Sequence, residues 1–136
     1  MRFAFGADDS NATTAAVLES LRVHGEVSVV DDHDQWPDIG REVGRRVASG
    51  EADLGVVMCW TGTGITMAAN KVPSVRAALA WDAWVATGAR RWNDANVLGL
   101  SLKRLSPDVA VECLEAFLDP ANEPDPAQKA NIDSLG

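Results

Sequence analysis

The chain has 136 residues, a length that forms one domain and buries a core without help from disulfides or metals. Its 46% apolar and 24% charged residues are ordinary for a soluble protein, while a net charge of −8 argues against nucleic acid or an anionic membrane as partner. No apolar run reaches the ~20 residues of a membrane span and no signal-peptide pattern opens the chain, so the expected compartment is the cytoplasm.

Residues 2–6 read as a first strand, followed by a polar turn. Thr13 or Thr14 caps a helix carrying Val17, Leu18, Leu21 and Val23 near helical spacing, and Gly25 stops it. A second strand at 26–30 ends in an acidic turn. There Asp31, Asp32 and Asp34 read as solvated charges, because nothing nearby completes a coordination set. Pro37 suits the first turn of a helix with Ile39, Val43 and Val47 on one face, ending at Gly50. Residues 54–59 form an unbroken apolar run, the mark of a parallel strand buried on both faces. The next helix runs through Ala68, Ala69 and Asn70.

Residues 76–81 and 97–101 are the fourth and fifth strands, with helices at 83–91 and 107–118. Five such units predict a Rossmann-like three-layer α/β/α fold around a five-stranded parallel sheet. From Asp119 onward Pro120, Pro124 and Pro126 mark an arm at 119–136, ending in one helical turn, outside an α/β domain at 1–118. His24 and His33 read as surface residues without a role, and Trp81 and Trp84 as core or dimer contacts. Two histidines and two cysteines without CxxC spacing supply no zinc site, so no metal is expected.

Open parallel sheets bind ligands outside the carboxyl ends of their strands. Along that edge lies Cys59-Trp60-Thr61-Gly62-Thr63-Gly64, between the buried strand and the next helix. Its glycines allow successive N–H groups to face one concavity, to which the helix N-terminus adds positive partial charge. Such a nest can hold a phosphate or an oxyanion, and the same field favours a thiolate at Cys59. A plain strand-to-helix turn with a small buried cysteine fits the spacing as well. The loop lacks the lysine of a Walker motif and the third glycine of a dinucleotide fingerprint.

Several motifs in series resemble one family. Gly55-Val56-Val57-Met58-Cys59-x-Thr61-Gly62-x-Gly64, then Ala69-Asn70-Lys71, Val75-Arg76-Ala77-Ala78-Leu79 and Asn93-Asp94-Ala95-Asn96-Val97-Leu98 follow the order of ribose-5-phosphate isomerase B and its galactose-6-phosphate relatives. The opening Phe3-Ala4-Phe5-Gly6-x-Asp8 fits too. The resemblance, over 1–118, implies an aldose–ketose isomerase that works through an enediolate without metal or other cofactor. It implies that Cys59 moves the proton and that the amides of Thr61, Gly62, Thr63 and Gly64 hold the oxyanion. It also implies that Thr61 and Asp8 contact sugar hydroxyls or assist ring opening. Asn93 would bind substrate across the interface of a homodimer or homotetramer.

The chain departs from this pattern at the site itself. Asp9 stands where a phosphate-facing histidine is expected, Trp36 replaces a tyrosine, Trp60 a glycine and Trp92 a histidine. The positions of the phosphate-clamping arginines align with Pro126 and Ala130, leaving Lys129 near. A carboxylate without a guanidinium disfavours a bound phosphate, whereas Trp offers flat apolar surface with one N–H. The expected activity is cysteine-centred isomerisation of an unphosphorylated or less polar small molecule. Two rivals stand beside it: a non-catalytic binding protein, and an ordinary sugar-phosphate isomerase whose phosphate is held by Arg41, Arg90 or Lys103 of a second subunit.

Overall fold

The computed structural model describes residues 1–31 and 35–136. Five strands alternate with helices: β1 (Arg2–Ala7), α1 (Ala12–His24), β2 (Glu26–Val29), α2 (Trp36–Ala48), β3 (Leu54–Cys59), α3 (Thr63–Asn70), β4 (Ala77–Leu79), α4 (Ala83–Asn93), β5 (Val97–Ser101) and α5 (Pro107–Leu118). A 3-10 turn at Pro126–Gln128 and a short helix, α6 (Lys129–Asp133), close the chain. All pairings are parallel and the strand order is β2-β1-β3-β5-β4. This is the expected Rossmann-like α/β architecture.

Alternation along β3 divides the core into two layers. Val56 and Met58 join Phe3, Phe5, Val17, Leu21, Leu114 and Phe117 beneath α1, α4 and α5. Val57 and Cys59 join Ala4, Ile39, Val43, Ile65 and Ala69 beneath α2 and α3. Every residue of β3 is buried, as an apolar run covered on both faces must be. Side chains such as Phe117 and Leu114, at 1% and 0% exposure, each contribute ~1.5–3 kcal/mol by leaving water.

Some boundaries differ from expectation. α1 is capped by Asn11, not by Thr13 or Thr14: the Asn11 carboxamide accepts from Thr14 N at 3.0 Å, while Thr14 Oγ1 accepts from Asn11 N at 2.8 Å. Asn can satisfy the third helical amide from one residue outside, and Thr14 then completes the box. Val23 is 82% exposed, because two residues past Leu21 a helix has turned about 200° away from the core. β4 is three residues long rather than six. Before it, Arg76 turns its guanidinium to the Asp94 carbonyl at 2.8 Å, and after it Asp82 caps α4 by accepting from Val85 N at 2.8 Å. Trp81 and Trp84 are 62% and 69% exposed, which removes them from the core of this chain. Asp32, His33 and Asp34 of the expected acidic turn lie outside the described residues.

The arm is attached at defined points. Asn122 Nδ2 donates to Ala116 O at 2.7 Å, and Asp125 N donates to Arg91 O at 2.7 Å. Among the described residues no helix is long and apolar enough to cross a membrane.

Candidate active site

From β1 the chain moves outward to β2, and from β3 it moves the opposite way to β4 and β5. The crevice for a ligand opens where that order reverses, outside the ends of β1 and β3. Asp8 follows β1 and Cys59 ends β3. A cleft of about 400 Å³ opens there, lined by Asp8, Trp36, Cys59, Trp60, Thr61, Thr63 and Gly64.

Cys59 is 5% exposed, and its Sγ accepts a hydrogen bond from Gly62 N at 3.2 Å. That bond exists because Gly62 is left-handed, with φ +79°, which folds the turn back over the sulfur just before α3 starts. A side chain at Gly62 would be strained by that φ and would run into Leu79 and the Leu100 backbone. Thr66 pins the same turn: its Oγ1 donates to Gly62 O at 2.6 Å. An amide donor and the N-terminal turn of α3 thus lie beside the sulfur.

Not all loop amides face the cleft freely. The Gly62 amide serves Cys59, and the Thr63 amide donates to Thr61 Oγ1 at 3.3 Å. The hydroxyls of Thr61 and Thr63 lie 2.7 Å apart, leaving one of their protons for a bound oxygen. Gly64 has a different use. The Trp36 ring lies against it, within 3.2 Å of where a Cβ would stand, so α3 passes beneath an indole at the start of α2.

The two aspartates behave oppositely. Asp8 is half-buried, and its Oδ1 is the one buried side-chain polar atom among the described residues without a hydrogen-bond partner. Burial, then the nearby Asp9 charge, pushes its carboxyl above the ordinary 3.8. Asp9 is exposed and lies below that value, chiefly because the indole N–H of Trp60 donates to it, then because Ser10 N does. Those bonds measure 3.0 Å to Oδ2 and 2.8 Å to Oδ1.

Trp92 and Asn93, at the end of α4, do not line this cleft. Trp92 meets Trp84 edge-on, with centroids 5.7 Å apart, and Asn93 borders a separate hollow with Asn70, Arg76 and Leu135. Of the cations considered for phosphate, Arg90 is tied to Asp94 at 3.1 Å and Arg41 to Asp38 at 2.7 Å. Lys103 sits in this same chain with its Nζ 4.7 Å from the Trp60 ring centroid. Sequence reasoning missed that contact. Cys59 and Ser101 are paired in the β3–β5 register, which places residues just beyond Ser101 beside the cleft.

The chain resembles known isomerases in sequence and in fold. A family model described as Ribose/Galactose Isomerase matches residues 5–135, reaching through the arm. The chain is 38% identical over 89 residues to the galactose-6-phosphate isomerase subunit LacB of Clostridium acetobutylicum, covering 65% of this chain and 51% of that one. It is 30% identical to ribose-5-phosphate isomerase B of Escherichia coli, covering 86% and 83%. The chain thus spans about half the length of some curated relatives and most of others. Among solved structures, a Clostridium thermocellum ribose-5-phosphate isomerase B superposes with a TM-score of 0.91 at 30% identity, covering 100% of this chain and 95% of that one.

Proposed function

Because the chain belongs to the ribose/galactose isomerase family, we propose that it is an aldose–ketose isomerase in which Cys59 carries the proton. The observation that supports this best is the Gly62 N–H held on Cys59 Sγ, in a cleft that Asp8 also lines. As a thiolate, Cys59 takes the proton from the carbon beside the carbonyl, leaving an enediolate. It then returns that proton to the neighbouring carbon, and the hydroxyl proton moves between the two oxygens. Asp8, whose carboxyl retains a proton more readily than usual, assists ring opening and this second transfer. The hydroxyl of Thr61 and the head of α3 hold the developing oxyanion.

The substrate we favour is an unphosphorylated or less polar hydroxy-carbonyl compound. The Asp9 carboxylate stands beside the cleft, and its walls include Trp36 and Trp60. A dianionic end group meets repulsion there, whereas the C–H face of a sugar packs well on indole. Two free, buried cysteines suit a reducing compartment such as the cytoplasm. Asn93 completes the cleft of a second copy in a homodimer or homotetramer, since within one chain it lies elsewhere.

The test is a screen of the purified protein against aldoses with and without phosphate. Conversion of an unphosphorylated aldose, with only weak turnover of ribose 5-phosphate, is expected. Ribose 5-phosphate turnover within tenfold of a median kcat of ~10 s⁻¹ would overturn the substrate reading and leave the isomerase reading standing.

A further inference from the structure

The Trp60 wall of the cleft is held from several directions. Trp60 is 58% exposed and sits on a glycine-containing turn, a setting in which an indole ordinarily samples several rotamers. Here its ring edge donates to Asp9 Oδ2 at 3.0 Å, and the ammonium of Lys103 lies 4.7 Å from its ring centroid. Its backbone is pinned as well: the Trp60 carbonyl accepts from Ser101 Oγ at 2.6 Å and from Lys103 N at 3.3 Å. Asp9 is oriented in turn, because its other oxygen accepts from Ser10 N at 2.8 Å. Both Asp9 oxygens therefore serve protein N–H groups. The carboxylate presents the indole to the cleft and does not itself reach into it, as its absence from the lining agrees.

A second indole of the cleft lining, Trp36, is placed by packing on Gly64, so two aromatic walls and Cys59 line the same cleft. Such walls suit the apolar C–H face of a neutral polyhydroxy-carbonyl compound. We propose that Trp60 is a specificity-determining wall of the Cys59 cleft, that Asp9 and Lys103 are its positioning residues, and that the fixed indole selects neutral over anionic substrates. The proposal rests on reading this cleft as the substrate site.

Thiol labelling reads the wall without requiring turnover. Cys59 is treated with iodoacetamide and with a bulky aryl maleimide, and each rate is followed by mass spectrometry of the Cys59 peptide. Trp60→Gly raises the maleimide-to-iodoacetamide rate ratio about threefold or more. Asp9→Ala, Lys103→Met and Trp60→Phe each raise it in the same direction, and the first two add nothing in the Trp60→Gly background, because contacting residues are not additive. An unchanged ratio in Trp60→Gly overturns the wall. Asp9→Ala and Lys103→Met that leave the ratio unchanged, or act undiminished without Trp60, overturn the positioning roles. For turnover, Trp60→Gly lowers the kcat/KM preference for neutral over phosphorylated aldose about tenfold, and an unaltered preference overturns the selecting role. Failed labelling predictions with catalysis intact sink the wall alone. Correct labelling in a protein that turns nothing over sinks the isomerase reading instead.

Discussion

The amide of Gly62 donates to Cys59 Sγ across 3.2 Å, and that single bond ties the turn after β3 to the sulfur beneath it. The bond depends on a left-handed residue at 62. Gly62→Ala is expected to cost about 1–3 kcal/mol of stability and to slow iodoacetamide labelling of Cys59. Chemical denaturation and labelling rates check both, and a variant as stable and as reactive as the parent would show that the turn does not need this conformation.

Asp8 is expected to trade stability for function. Its carboxyl is raised above 3.8 in the folded chain, so the folded state binds more protons than the unfolded state in the window just above that value. Stability therefore falls as pH rises through the window, and ionised Asp8 remains unfavourable at neutral pH. Asp8→Asn should be at least as stable as the parent at pH ~7 and much less active. Thermal melts with activity assays test this, and a variant both less stable and fully active would contradict it.

Glu42 works in the opposite sense. Its hydrogen bond from Arg45 at 2.8 Å, then that from Arg46 at 2.9 Å, lowers its carboxyl from 4.5 to about 2. Stability from this cluster is present above pH 4.5 and lost as pH falls from there towards 2. Being on the surface, each pair is worth ~0.2–1 kcal/mol, and Glu42→Gln should lower stability at pH 6 but hardly at pH ~2. Urea midpoints at the two pH values decide it.

Assembly can be tested at α4. Trp84 is 69% exposed beside Trp92 at 41%, apolar surface that a second copy would cover. Sedimentation should show a symmetric dimer or tetramer, and Trp84→Glu should shift it towards monomer with loss of activity. A parent protein that stays monomeric at micromolar concentration would remove the role given to Asn93.

Much of this architecture is legible along the chain. The run Leu54–Cys59 has no polar interruption, so it reads as a central parallel strand with a thiol at its carboxyl end. Pro107 and the apolar spacing after it place α5 correctly. The start of α1 was not legible, because Asn11, Thr13 and Thr14 are all good caps and only tertiary contacts choose. Asn11 Nδ2 reaches Leu102 O at 2.7 Å, and Thr13 Oγ1 reaches Leu105 O at 2.9 Å. The cluster of Asp9, Trp60 and Lys103 could not be read either. It joins the ends of β1, β3 and β5, which become neighbours only through the strand order.

Isomerisation as proposed requires Cys59 to move a carbon-bound proton. Cys113, fully buried with its thiol pushed up to about 11 by burial, serves as the internal control for labelling. The most direct measurement is deuterium entry from solvent at the α-carbon of an aldose converted by the protein, followed by NMR for the parent, Cys59→Ser and Cys59→Ala. Steady incorporation is expected for the parent, at most a trace with Cys59→Ser and none with Cys59→Ala, all three remaining folded. Incorporation by Cys59→Ala at the parental rate would contradict that role for Cys59.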